Sequence, residues 1–269
     1  IDVSNPQNQK IISKLDTGPG LMALAVAGDY AFVGNSSTNA QLQIINIKDP
    51  YNPSLISSYK LPGTYSGLYA NSIFYSKNKV YLGTPKSTIS ELHIIDVSDI
   101  YHPIEIGNWE AHTSINDINV KGNILYESGP DSEELKVLDI SNLSNIARVS
   151  GFGEATNSGK SIYSVGTTTY LGHTTSGDFF VLDTSSTTPQ KLGSYHAGSS
   201  INDIVADKNI AFLVTTDKKL KVLSVSNPNS ISLLSSLDFP SKAVAIDCGK
   251  NALYVALENN DALRIITSQ

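Results

Sequence analysis

The chain has 269 residues, 40% hydrophobic and 16% charged, with a formal net charge of -6. That balance excludes a disordered polymer, and with no basic tract to release counterions from a phosphate backbone it excludes nucleic acid as the expected partner. No run approaches the roughly 20 apolar residues of a membrane-spanning helix, so no direct membrane insertion is expected.

From the amino end, the first recognisable piece is IDVSNPQNQKIISKLDTG, residues 1–18. It reads as the end of one strand, an Asn-Pro turn and a second strand at about Lys10 to Leu15. The same features then recur. Apolar runs open at Leu42 (LQIINIKDP), Leu92 (LHIIDVSDI), Leu135 (LKVLDISNL), Phe179 (FFVLDTSST), Leu220 (LKVLSVSNP) and Leu263 (LRIITSQ), at a spacing of roughly 44 residues. Upstream of such a run lie two strand-like stretches split by a turn, as in INDINVKGN then ILYESGP, or INDIVADKN then IAFLVTT. Downstream comes a turn rich in Pro, Asn and Ser, then a fourth stretch such as SLISSYKL, IEIGNWEA or ISLLSSLD.

Four short strands joined by hairpin turns predict one antiparallel sheet per repeat. The third-strand runs are nearly continuous, as at Ile44-Ile45 and Ile94-Ile95, which predicts sheets covered on both faces. Sheets stacked around an axis meet that demand, and the expected fold is an all-β, six-bladed β-propeller with four antiparallel strands per blade. Counting from Asp2 through Asn46, Asp96, Asp139, Asp183 and Ser224 to Thr267 gives six intervals. One domain, residues 1–269, is expected, with blades at about 18–63, 64–111, 112–154, 155–198, 199–240 and 241–269 plus 1–17. The last repeat shows three strands, Ala243 to Ile266, so the amino-terminal segment is expected to supply its outer strand and close the ring. Residues 1–3 and 267–269 fall on the same repeat positions, so one of the two must peel away.

The phrase seen as LHIIDVSD, LKVLDISN and LKVLSVSNP resembles the LVIVD repeat of bacterial and archaeal cell-surface propellers, over essentially the whole chain. The resemblance implies the propeller scaffold and an extracellular, cell-surface or periplasmic location, and it implies no particular ligand. No repeat joins a Gly-His to a Trp-Asp as WD repeats do, and the di-glycine of kelch repeats is absent. The chain opens at Ile1, a start that a processed, exported chain or an excised domain would both give.

A recurring Asp after an apolar run invites a metal or catalytic reading, but an Asp before a hydroxyl and an Asn-Pro turn accepts backbone N–H bonds and fixes the hairpin. Asn46, Ser224 and Thr267 replace it in three repeats, substitutions that turn-fixing tolerates. Alternate oxygen ligands at calcium-loop spacing are absent. The lone Cys248, within AVAIDCG, reads as a buried, inert thiol.

In a blade of this order, the loops joining fourth to first strands and second to third strands share one face. Variation is concentrated there, so that face is the expected binding surface. Its residues include Tyr65, Trp109, Glu110, His112, Glu154, His173, Tyr195, His196 and Lys242. NWEAHTSINDI and SYHAGSSINDI each place an aromatic, a His and then Asn-Asp at similar spots, which adds Asn116, Asp117, Asn202 and Asp203. Two His with two Asp at a channel mouth would suit a metal or an acid-base pair, whereas the same Asp residues bonded to backbone would be structural. At the positions matching Asp117 and Asp203 the other inner strands are expected to carry Ala23, Ala70, Ser164 and Ala245, a thin ligand set. The acidic stretches ESGPDSEEL (Glu127, Asp131, Glu133, Glu134) and LENNDAL (Glu258, Asp261) are expected as solvated loop tips.

No G-x-S-x-G, H-E-x-x-H or phosphate-cradling loop supports an enzyme. The expected function is noncatalytic binding of a protein or carbohydrate through the loop face, alone or within a larger polypeptide or assembly. The alternative from another class is a metal-dependent hydrolase around Asn116, Asp117, Asn202, Asp203 and the two His. The sequence requires no cofactor; calcium is the ion that alternative would use.

Overall fold

A computed structural model describes residues 1–18, 20–37, 39–63, 68–154, 159–249, 251–258 and 262–267. Each repeat becomes one antiparallel sheet, and the fold is that of an all-β, six-bladed propeller. The first sheet runs β1 (Leu21–Ala27), β2 (Tyr30–Asn35), β3 (Leu42–Asn46), β4 (Ser54–Tyr59), and the second β5 (Ser72–Ser76), β6 (Lys79–Gly83), β7 (Leu92–Asp96), β8 (Ile104–Trp109). The third holds β9 (Asp117–Lys121), β10 (Ile124–Ser128), β11 (Leu135–Asp139) and β12 (Ala147–Phe152). The fourth holds β13 (Gly159–Val165), β14 (Thr168–His173), β15 (Asp178–Asp183) and β16 (Gln190–His196). The fifth holds β17 (Ile201–Asp207), β18 (Ile210–Thr215), β19 (Lys219–Ser224) and β20 (Ser232–Asp238), the sixth β21 (Ala243–Gly249), β22 (Ala252–Leu257) and β23 (Leu263–Thr267). Among the described residues the only helical element is a single 3-10 turn, Pro228–Ser230.

The chain divides into two compact units, Ile1–Asn123 with Asp139–Ala147, and Ile124–Leu138 with Arg148–Gln269. In the first, Phe32, Leu42 and Ile44 of the first sheet pack with Ala70, Val80, Leu82 and Ile95. In the second, Tyr170, Phe179 and Val181 of the fourth sheet pack against Ile201, Ile204, Leu213 and Leu223 of the fifth. Third-strand runs are continuous because alternate residues serve opposite neighbours: Phe179 and Val181 face one way, while Phe180 and Leu182 join Leu135 and Val137 on the other.

The repeated carboxylate is a turn device. Asp96 Oδ1 accepts the N–H of Ser98 at 2.8 Å, and Asp139, Asp183 and Asn46 accept from Ser141, Ser185 and Lys48 at 2.8, 2.8 and 2.9 Å. Three residues on, a second turn of the same kind follows: Asp49, Asp99, Asn142 and Asn227 accept from Tyr51, Tyr101, Ser144 and Asn229. The N–H of Ser98 holds the Asp96 carboxyl below the usual range, as that of Ser141 does for Asp139.

The amino-terminal segment repeats this geometry but not the expected pairing. Asp2 and Lys10 exchange backbone hydrogen bonds of 2.7 and 3.1 Å, the register in which Asp96 faces Ile104. Asp2 also accepts the N–H of Ser4 at 2.9 Å, and Ser13 Oγ donates to Pro50 O at 2.6 Å, as Ser57 Oγ donates to Ile100 O at 2.5 Å. The sixth sheet holds three strands among the described residues, and the outer strand expected from residues 10–15 is not one of them. Lys10 is already paired with Asp2, at the repeat position that Thr267 fills opposite Ala252 in β23.

Candidate functional site

The loop face is built by a polar residue just before each of several third strands. Glu91, fully buried, precedes Leu92, and its Oε2 accepts the N–H of Ala111 at 2.9 Å and of His112 at 3.1 Å. Its Oε1 accepts from Ser87 at 3.0 Å. Gln41, before Leu42, accepts from Leu61 at 2.9 Å, and Glu134, before Leu135, accepts from Glu154 at 2.7 Å. One side chain thus ties the chain leaving the outer strand to the strand beside it. Burial pushes the Glu91 carboxyl up, with Glu110 adding to the shift.

The consequence is a presented histidine. His112 sits at φ 61°, in the left-handed region a non-glycine residue enters only when its surroundings impose it. Its side chain is 85% exposed, and Nδ1 lies 3.5 Å from Glu110 Oε1. Trp109, half-buried, ends β8 beside them.

The second unit has a related arrangement. Asp178 opens β15 at the place of Glu91, and His196 Nδ1 stands 3.0 Å from its Oδ1 with the ring 68% exposed. Burial pushes the Asp178 carboxyl up, but bonds from Ser176 and His196 outweigh it and hold the group low. Tyr195 is half-buried and packs on the core between the fourth and fifth sheets.

The inner-strand residues hold sheets together. Asp203 Oδ1 accepts the N–H of Ile204 at 2.8 Å and Oδ2 that of Ile246 at 2.9 Å, while Asn202 Nδ2 donates to Ala243 O at 2.6 Å. In the first unit Asn71 Nδ2 donates to Ile115 O at 2.7 Å and to Asn116 Oδ1 at 3.4 Å, and Asp117 accepts the N–H of Ile118 at 2.8 Å. The register also corrects the matching positions. Ala23, Ser72, Ser161 and Ala245 align with Asp203, not Ala70 and Ser164: they face Gly34, Gly83, Gly172 and Ala256 on their second strands as Asp203 faces Val214. Among the described residues no group of three or more His, Cys, Asp or Glu is placed to hold a metal ion. Tyr65 and Asp261 lie outside the described residues.

The acidic stretch ESGPDSEEL is not a solvated tip throughout. Glu127 and Glu134 are fully buried. Glu127 Oε1 lies 3.1 Å from Lys136 Nζ, which lies 2.7 Å from Asp131 Oδ2. Burial lifts the Glu127 carboxyl to about 7 against the pull of Lys136. His173 is also buried, edge-on to Phe180 at 4.8 Å, and burial lowers its pKa. Glu154 pairs with Lys191 and Glu258 with Lys242, each at 2.9 Å. What the loop face offers is imidazole, carboxylate and aromatic surface held by a buried clamp, the chemistry of recognition by hydrogen bonds and stacking.

Repeated four-stranded sheets, tied by buried polar clamps and double turns, define a propeller built from one sequence repeat. The chain belongs to the LVIVD repeat family, matched over residues 21–61, 88–111, 114–151 and 198–238. It is 25% identical over 103 residues to the uncharacterized protein MJ1554 of Methanocaldococcus jannaschii, a match covering 38% of this chain and 16% of that protein. Its fold is similar to a chain in the crystal structure of the mitotic checkpoint complex, with TM-score 0.75 and 11% identity over 96% of this chain and 77% of that one. It is also similar to U3-55K, with TM-score 0.70 and 10% identity over 92% of this chain and 80% of that one.

Proposed function

We propose that this propeller is a noncatalytic recognition module that engages a protein or a glycan through the loops leaving its outer strands. The carrying observation is the clamp of Glu91 on His112, which holds a solvent-facing imidazole in a left-handed backbone beside Glu110 and Trp109. A clamped, exposed, aromatic-flanked loop on a rigid sheet has the character of a binding loop. An extracellular, cell-surface or periplasmic location is part of the reading, in keeping with a sequence rich in Ser, Thr and Asn. A metal-dependent hydrolase is disfavoured by Asp203, whose two oxygens both serve backbone N–H groups.

Glycan arrays and immobilised cell-envelope proteins, read with the wild type and a Trp109→Ala/His112→Ala variant, test this. Binding by the wild type that the folded variant loses is the expected result. Equal binding by both, or a stoichiometric metal ion accompanied by hydrolytic turnover, would overturn it.

A further inference from the structure

On the face bearing the turns between first and second strands, opposite the loops above, the first and second sheets leave a cavity of about 490 Å³ within the first unit. That size suits a small ligand or one side chain of a larger one. Its floor is aromatic: Phe32 and Tyr75 stack with ring centroids 4.9 Å apart, and Tyr30 lines the same space. Tyr75 donates its hydroxyl to Asn78 Oδ1 at 3.1 Å, and Asn78 stands in a left-handed turn with φ 59°. Asp29, exposed, forms the rim from the opposite sheet.

Two of these residues depart from the repeat. The backbone carbonyl of Asp29 accepts the N–H of Ile47, and the same bond in other sheets is made by Asn78, Asn123, Thr167 and Asn209. A carboxylate therefore stands where those sheets carry a neutral side chain. Tyr75, opposite Val80, takes the place that Val26, Ser164, Ala206 and Cys248 take opposite their own second strands. The scaffold is satisfied by small residues at that place, so Tyr75 is not required by the fold. None of the residues lining the cavity is Lys or Arg.

We propose that this cavity is a binding site for an ammonium or guanidinium group carried on an apolar stem, the chemistry of a lysine or arginine side chain in a peptide. The partly exposed rings of Tyr30 and Tyr75 take the stem and attract the cation, and the Asp29 carboxylate pairs with the charge at the rim. The site is independent of the loop reading, since it uses no residue of that face.

Titration calorimetry with N-acetyl-lysine methylamide and N-acetyl-arginine methylamide tests it, with N-acetyl-norleucine methylamide and methyl glucoside as neutral controls. Saturable binding of a cationic probe is expected, weakened about tenfold or more by Asp29→Asn and by Tyr75→Ala, with little binding of either control. Both substitutions install residues found at these places in other sheets, and a single cooperative thermal transition confirms that each variant folds. Absence of cationic binding, neutral probes binding as well as cationic ones, or affinity unmoved by Asp29→Asn would each overturn the assignment.

Discussion

Glu91 Oε2 accepts the backbone N–H of His112 at 3.1 Å, so a fully buried carboxylate fixes the most exposed imidazole of the second sheet's exit loop. The bond joins the residue before β7 to the loop after β8. It makes the polar residue before a third strand a support for one side chain, and it explains how His112 keeps a left-handed backbone. Glu91→Ala would orphan the buried N–H of Ala111 together with those of His112 and Ser87, at a cost of about 2–4 kcal/mol. Glu91→Gln should retain much of that, because Gln41 holds Leu61 in the same way. Chemical denaturation of the two variants and the wild type checks the order; a Glu91→Ala variant as stable as the wild type would show that the clamp contributes nothing.

Asp203 binds two sheets at once through Ile204 and Ile246. Asp203→Ala should cost about 2–4 kcal/mol, whether or not calcium is present during unfolding. A loss of stability seen only with calcium would instead make it an ion ligand.

Glu127 gives stability a pH dependence of defined sign. Its carboxyl is raised by burial from 4.5 to about 7, so the folded state favours the protonated form. The corresponding contribution is fully present below pH 4.5 and is lost as pH rises through about 7. Glu127→Gln, neutral at every pH, should flatten that part of the profile, with a difference from wild type on the order of 1–3 kcal/mol. Parallel wild-type and variant profiles between pH 4.5 and 7.5 would contradict the sign.

Contact between an outer strand and the next sheet's turn is made in two ways. Ser57 Oγ bonds Ile100 O, whereas Gly193 brings its backbone so close that an added Cβ would lie 1.8 Å from Pro228 O. Because the obstacle is backbone, Gly193→Ala should destabilise by about 1–3 kcal/mol through displacement of that turn. Thermal unfolding measures it; an unchanged midpoint would mean the turn moves freely.

The third strands and their double turns are legible in the sequence because apolar runs such as those at Leu92 and Leu135 recur with a carboxylate at a constant offset. The clamp is also written there, as Gln41, Glu91 and Glu134 directly before a third strand, but its meaning lies in the backbone N–H groups some 20 residues on. Glu127 looks like part of an acidic loop until β10 places it fourth in its strand, where β6 has Leu82 and β14 has Leu171, with Lys136 on the neighbouring strand. Ala70 and Ser164 are misplaced because only the cross-strand partners set the register of the inner strands: Ser72 faces Gly83 and Ser161 faces Gly172. Glu110 and His112 fall in the exit loop in both readings, with Trp109 ending the strand before it; the constraint on the His112 backbone is visible only in three dimensions.

The central claim is that the exit-loop face recognises a partner of its own, separate from any cationic group held at the opposite turn face. A photo-crosslinking residue placed at His112 and, separately, at Tyr101, an exposed turn residue between β7 and β8, tests it directly on the intact chain in producing cells. The prediction is a discrete protein or glycan adduct from position 112 that position 101 does not give. Adducts from position 101 alone, or the same adduct from both positions, would contradict it.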